Sequence, residues 1–444
     1  MEKYIQAVEK HGQLAKDAAA FLWKNPETGY REWKAQAYLT EKFRALGYEL
    51  TEAGNIPGFY TDVDTGRPGP MVLVMGELDS LICESHPDAD PATGAVHACG
   101  HCCQAAGLLG FAAALKEPGV LDGWCGKIRL MATPAEELIE VEYREQLRKQ
   151  GVIKYFGGKV EFMYRGFMEG VDVAFMIHSA GRTFVNKGSN GCITKTVTFH
   201  GKAAHAGGAP NKGINALYAA NQALSACNAL RETFVDGDHI RFHPIITAGG
   251  DVVNAIPETV TMETYVRGAT MESIAVNNRK INRAIAASAA ALGCRVSISD
   301  RPGYSPRMHD RGMMEVAAEA LAAAVGECGL ESEGWGTGCS DLGDVSMVFP
   351  AVHPNMGGVV GTGHGNDYYI ADPDLAVVGL AKGLMLMTHL LLKDDAKRAK
   401  EIKANFVPTF ASLEEYFTFI DKLDMDKDAV VYNEDGTVTL DYQK

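Results

Sequence analysis

Three apolar runs constrain the fold of this chain more than any other feature. They are Met71-Val72-Leu73-Val74-Met75, Lys127-Ile128-Arg129-Leu130-Met131-Ala132 and Val171-Asp172-Val173-Ala174-Phe175-Met176-Ile177. A strand that is apolar on both faces must be covered on both, which is the situation of a mostly parallel sheet flanked by helices. The intervening segments supply those helices. Ala105 to Leu115 is rich in Ala and Leu, and residues from about 2 to 24 and 31 to 46 carry apolar side chains at helical spacing, for instance Ala35, Leu39, Phe43 and Leu46. Between these two lies the turn Asn25-Pro26-Glu27-Thr28-Gly29. Each apolar run stops at polar chemistry: the first at Gly76-Glu77-Leu78-Asp79, the second at Thr133-Pro134-Ala135-Glu136-Glu137, the third at His178. Ligands of such sheets sit beyond the carboxyl ends of the strands, so these groups are expected to meet at one edge.

From about residue 189 the pattern changes. Thr194 to His200 alternates as a strand, 212 to 232 reads as a helix, Ile240 to Ile246 and Thr259 to Tyr265 as strands, 271 to 291 as a helix, and Arg295 to Ile298 as a last strand. That β-α-β-β-α-β order predicts a smaller two-layer α+β unit. An Ala-rich helix over 311 to 327 then resumes the first pattern, so the small unit is inserted into the large one. The expected division is 1–188 and 304–395 for the α/β domain, 189–303 for the insert, and a polar extension over 396–444. The extension contains a hairpin turn, Asn433-Glu434-Asp435-Gly436, between Val430-Val431-Tyr432 and Val438-Thr439-Leu440. At 444 residues the chain is too long for one ordinary core, which fits this division.

One short stretch concentrates reactive side chains. Ala95-Val96-His97-Ala98-Cys99-Gly100-His101-Cys102-Cys103 carries three thiols and two imidazoles around a glycine. Gly100 lets the backbone turn tightly enough for Cys99 and His101 to aim a sulfur and a nitrogen at one cation, about 2.0–2.3 Å from each. The other cysteines are scattered, as expected of reduced thiols buried as small hydrophobes rather than a disulfide framework. A second shaped loop, Gly361-Thr362-Gly363-His364-Gly365-Asn366-Asp367, presents another histidine. Lys+Arg number 42 and Asp+Glu 56, a net charge of −14, which argues against nucleic acid or an anionic membrane as partner. The charged start, Met1-Glu2-Lys3-Tyr4-Ile5-Gln6, and the lack of an eighteen-residue apolar run argue against secretion and membrane spanning, so the expected location is the cytoplasm.

Taken together, Asp79, Cys99-Gly100-His101, Pro134-Ala135-Glu136-Glu137, His178 and Gly363-His364-Gly365 resemble the aminoacylase-like metallopeptidases. The nearest branch is that of hippurate hydrolase, indole-acetyl-amino-acid hydrolases and aminobenzoyl-glutamate hydrolase. Asn25-Pro26-Glu27-Thr28-Gly29-Tyr30, Gly201-Lys202-Ala203-Ala204-His205-Ala206, Asn254-Ala255-Ile256-Pro257-Glu258 and Cys339-Ser340-Asp341-Leu342-Gly343-Asp344-Val345-Ser346 add to the resemblance, which runs through residues 20 to 390. It implies that Cys99, His101, Glu137, His178 and His364 bind two divalent metals, Zn or Mn, and that Glu136 is the general base and proton shuttle. It further implies that His205 stabilises an oxyanion in a neighbouring subunit's site, with Asn254 and Arg267 as substrate contacts in a homodimer formed through the insert. His97, His353 and Asp341 are candidates for holding the ligands in place.

Three departures from that branch border the site. Cys102 stands where relatives carry Asp or Asn, a candidate soft ligand or oxidisable thiol. Residues Leu138 to about Met168 read as an insertion in place of a glycine-rich segment. His178 is followed by Ser179-Ala180-Gly181 without a nearby proline. The expected activity is hydrolysis of the amide in an N-acyl amino acid, aromatic acyl groups included, or of a dipeptide-like bond. The alternatives are hydrolytic deamination of an aromatic amine at the same site, and a degenerate metal-binding scaffold without turnover.

Overall fold

A computed structural model describes residues 1–442, which separate into two compact units. The first comprises Met1–Gly188, Arg307–Gly336 and Ser340–Leu413; the second comprises Ser189–Pro306, Thr337–Cys339 and Glu414–Lys444. The tail expected as one extension from 396 is thus shared: its first part lies in a helix of the first unit, and the remainder from Glu414 clusters with the second.

The sheet of the first unit has six strands in the order Thr51–Glu52, Phe59–Asp64, Lys127–Thr133, Met71–Glu77, Val173–Phe175, Ala351–Val352. The last four run parallel, and the first two form an antiparallel edge. Met71–Glu77 is buried from Val72 onward, as a central strand covered on both faces must be. The third apolar run makes a shorter strand, Val173–Phe175, than its hydrophobicity suggests; just before it the Asp172 carboxylate accepts the Met71 N–H. Beyond it the chain starts a second small sheet, in which His178–Ser179 pairs in parallel with Asn355–Met356.

Helix boundaries depart from expectation where polar or glycine residues intervene. The helix expected from residue 2 to 24 is two, Glu2–Lys10 and Gly12–Lys24, broken at His11. The helix expected from Ala105 opens at His101 and stays wholly buried to Leu115, because Gly100 in the left-handed region (φ 80°) ends the preceding turn. Asp374–Asn405 contains an apolar window long enough to cross a membrane, but 83% of that window is buried inside the protein and the helix breaks at Lys393–Ala396, so it is a core element.

The second unit is an antiparallel sheet with two helices, Ala216–Ala229 and Met271–Ala291. Strands run Arg241–Phe242, Thr259–Gly268, Gly191–His200, Arg295–Tyr304 and Met425–Asp428. Gly191–His200 pairs residue for residue with Thr259–Gly268, and the alternating burial of the latter gives the sheet one covered face. The strand expected over Ile240–Ile246 is split at His243-Pro244, since proline offers no N–H to the ladder; Ile245–Ala248 pairs separately with Thr259–Gly268.

Candidate metal centre

The site assembles where the parallel strands of the first unit end. Met71–Glu77 and Lys127–Thr133 lie side by side with Glu77 opposite Thr133, so the residues that follow each emerge together. The Asp79 carboxylate then accepts the Glu137 N–H at 2.7 Å, tying the two strand ends. Gly100 brings the cysteine stretch against them: a Cβ there would lie 2.3 Å from the Tyr368 hydroxyl, so both the φ and the space require glycine. The loop carrying His364 is held by the His364 N–H, which donates to the Ala98 carbonyl at 2.9 Å. Ala135, Glu140 and His364 all have φ between 50° and 66°, a conformation costly for residues with a Cβ.

Among the described residues, donor atoms converge in three groups, each within 4.8 Å: Cys99, His101 and His178; Cys99, Glu137 and His364; and Glu77, His101 and Glu136. Cys99 belongs to the first two, with its sulfur 3.4 Å from His178 Nε2. His364 Nε2 is 3.2 Å from Glu137 Oε1. His101 Nδ1 lies 3.0 Å from both the carbonyl and the carboxylate oxygen of Asp79, so Nδ1 carries the proton and Nε2 offers a lone pair. That Nε2 stands 3.2 Å from Glu77 and 3.9 Å from Glu136.

The electrostatics follow from this crowding. Burial and the Glu137 carboxylate push the Cys99 thiol up, but His101 and His178 more than offset them and bring it to about 6. Burial, then Glu77 and Glu137, hold the Glu136 carboxyl well above its ordinary range. Hydrogen bonds to Cys99 and Glu137 raise His364 to about 11. His101 Nε2 is buried without a hydrogen-bond partner. An orphaned ring nitrogen among several carboxylates and a thiol inclined to ionise is what a divalent cation satisfies, so the residues present fit a metal.

Comparison with known proteins agrees with this chemistry. Residues 187–292 match the family described as peptidase dimerisation domain. Xaa-Arg dipeptidase of Mus musculus is 30% identical over 379 residues, 80% of this chain and 78% of that protein. The chain belongs to the M20 peptidase family. It is a hydrolase acting on C–N bonds. Another relative, a p-aminobenzoyl-glutamate hydrolase chain of Escherichia coli, is 25% identical over 279 residues, 60% of this chain and 53% of that one. In fold, the chain matches the crystal structure of a dinuclear metal-binding peptidase of the M20 family from Bacillus subtilis with a TM-score of 0.64 at 18% identity, covering 86% of this chain and 99% of that one.

His205, Asn254 and Arg267 belong to the second unit of this M20 chain. His205 and Asn254 lie on adjoining exposed loops, where the Ala206 N–H donates to the Asn254 carbonyl at 2.9 Å. Arg267 is on the strand Thr259–Gly268, over the Tyr265 ring. His205 Nδ1 accepts the N–H groups of Gly207 and Gly208, which leaves the proton on Nε2. Cys102 is fully buried in the hydrophobic core and in none of the donor groups; burial, with Cys103 beside it, holds its thiol well above the ordinary value, so it is neither a soft ligand nor an oxidisable thiol here. His97 is buried and kept neutral, its value lowered by burial to about 3.

The residues that sequence reasoning missed come from the segment read as an insertion. Arg144 donates to the carbonyls of Phe156 and Glu137, bracing the strand end that carries Glu136. Lys159 donates to Glu77 and, at 2.5 Å, to Asp341; all three side chains are fully buried. Gly157-Gly158 immediately before Lys159 was the available signal: a Cβ on Gly158 would sit 1.7 Å from the Pro134 carbonyl oxygen, so glycine alone lets this helix dock beneath the Glu136-Glu137 turn.

Proposed function

We propose that this M20 protein is a dimetal amidohydrolase that cleaves the amide of an N-acyl amino acid or a dipeptide-like substrate. The observation that carries the reading is the pair of donor triads sharing Cys99, with the Glu136 carboxylate beside them and in neither. Cys99, His101, His178, Glu137 and His364 would hold the two ions. The thiolate suits zinc, and the carboxylate and imidazoles suit zinc or manganese. When bound, such a pair supplies a polarised scissile carbonyl and a water acidified toward neutrality. The names of the two relatives, Xaa-Arg dipeptidase and p-aminobenzoyl-glutamate hydrolase, each specify an amide made with an amino acid.

Glu136 is the general base in this reading. Its raised proton affinity fits a carboxylate that takes a proton from water and returns it to the leaving amine. Asp79 holds the His101 tautomer and, through the Glu137 N–H, the direction of the Glu-Glu turn. His205, with its proton on Nε2, is a ready donor to the oxyanion of a partner subunit's substrate, and Asn254 and Arg267 contact the substrate. The protein works as a homodimer through the second unit, whose Ile245 and Val253 are 61% and 101% exposed. All ten cysteines are free, which accords with a reducing, cytoplasmic location. The test is Glu136→Gln: metal content stays that of the unsubstituted protein while turnover falls by about 10²–10⁴. An equally active variant would remove Glu136 from the mechanism.

A further inference from the structure

The third donor group, Glu77, His101 and Glu136, is as tightly gathered as the other two and wholly buried. By distance alone it is a metal site of equal standing, and one that would consume Glu136. What separates it is the state of Glu77. One carboxylate oxygen accepts the Lys159 ammonium, and the other accepts the Gln104 amide at 2.7 Å. Lys159 is itself fixed: its backbone N–H and its ammonium both donate to Asp341, at 2.8 and 2.5 Å, and the helix that carries it is seated by Gly158 against Pro134. A buried ion pair of this kind adds little net stability compared with apolar groups of the same volume, so a stabilising role alone is a poor account of it.

We propose that Lys159 is a positioning residue that withholds Glu77 from the metals. It acts through Glu77, whose two carboxylate oxygens are occupied by the Lys159 ammonium and the Gln104 amide although one of them lies 3.2 Å from His101 Nε2, and so leaves Glu136 outside the ligand set. The inference rests on the dimetal reading above and adds to it a reason why five donors rather than six take the ions.

The experiment uses full-length protein stripped of metal and reloaded with cobalt(II), whose visible spectrum reports ligand number and geometry. Wild type, Lys159→Met and Lys159→Met/Glu77→Gln are compared by spectrum, cobalt stoichiometry, thermal melt, kcat and KM. Lys159→Met is expected to change the cobalt spectrum, as the released Glu77 enters the coordination, and to lower kcat at least about tenfold with little change in KM. Adding Glu77→Gln removes the intruding carboxylate and is expected to restore the wild-type spectrum and most of kcat. Should Lys159→Met fail to fold, Lys159→Met/Asp341→Asn, which also removes a matching charge, takes its place in the same comparison. A folded Lys159 variant with the wild-type spectrum, or a Glu77→Gln double variant no closer to wild type than the single, overturns the inference and leaves the dimetal reading standing. Wild-type protein that takes up no cobalt overturns both.

Discussion

His309 makes the first unit sensitive to acid, and the size of the effect follows from its two hydrogen bonds. Its Nδ1 lies 2.7 Å from the Asn186 carbonyl, which can only accept, so Nδ1 carries the proton. Its Nε2 accepts the His353 N–H at 3.2 Å. A second proton would point at that N–H, inside a buried pocket with Arg307 nearby. Burial, followed by Arg307, accordingly lowers His309 to about 3. Because the folded value lies below the unfolded one, the neutral form is favoured in the native state. The contribution is complete above about pH 6.5 and is lost as pH falls from there toward 3. Between pH 7.5 and 4.5 this amounts to about 2–3 kcal/mol, two units at 1.36 kcal/mol each. All four tryptophans, Trp23, Trp33, Trp124 and Trp335, lie in the first unit, so fluorescence-monitored urea unfolding of metal-free protein reads that unit. His309→Gln keeps a donor and an acceptor but cannot titrate. Wild type is expected to lose about 2–3 kcal/mol more than His309→Gln between the two pH values, whatever other groups contribute to both. Equal losses would refute the assignment of the neutral, doubly bonded ring.

Two further outcomes follow from packing and exposure. Gly158→Ala places a methyl group 1.7 Å from the Pro134 oxygen, and a thermal melt should show a loss of about 3 kcal/mol or more, with activity lost alongside as the Glu136-Glu137 turn shifts. Ile245→Glu/Val253→Glu puts charges on exposed apolar positions of the second unit; light scattering should find a dimer for the unsubstituted protein and monomers for the variant, and an unchanged dimer mass would place the interface elsewhere.

What the sequence revealed and what it hid divide along a physical line. Central parallel strands announce themselves because both faces are apolar, and Glu136, Glu137 and His178 are readable as site candidates because each stands where such a strand stops. Lys159 was invisible for the converse reason. A lysine reads as exposed by default, and its burial here is decided by carboxylates 82 and 182 positions away in sequence. The strand Met425–Asp428 was missed in the same way. Met-Asp-Lys-Asp has no strand signature, yet it pairs with Arg295–Tyr304 because Ser297, Ser299 and Arg301 meet Asp428 and Asp426 across the ladder. The start of the helix at His101 turned on a left-handed glycine that no periodicity reports.

The charges around the site differ in how they are answered, and that difference is the physical basis of the metal reading. Glu77 and Asp341 are answered by Lys159. Asp79 is answered by the His101 ring proton and the Glu137 N–H. Arg144 gives its guanidinium N–H groups to the backbone carbonyls of Phe156 and Glu137, and its charge also favours the ionised Asp79. Glu137 and the Cys99 sulfur, with Glu136 close by, face two imidazole lone pairs and the exposed His364. Burying that much anionic character without full compensation would cost several kcal/mol per ion, more than a domain of ordinary stability can carry. Protonation relieves part of the strain in the metal-free chain, which is the direction in which Glu136 and His101 are displaced. In the proposed reading, two divalent cations would relieve it and leave Glu136 outside the ligand set, where the added positive charge would favour its ionised form.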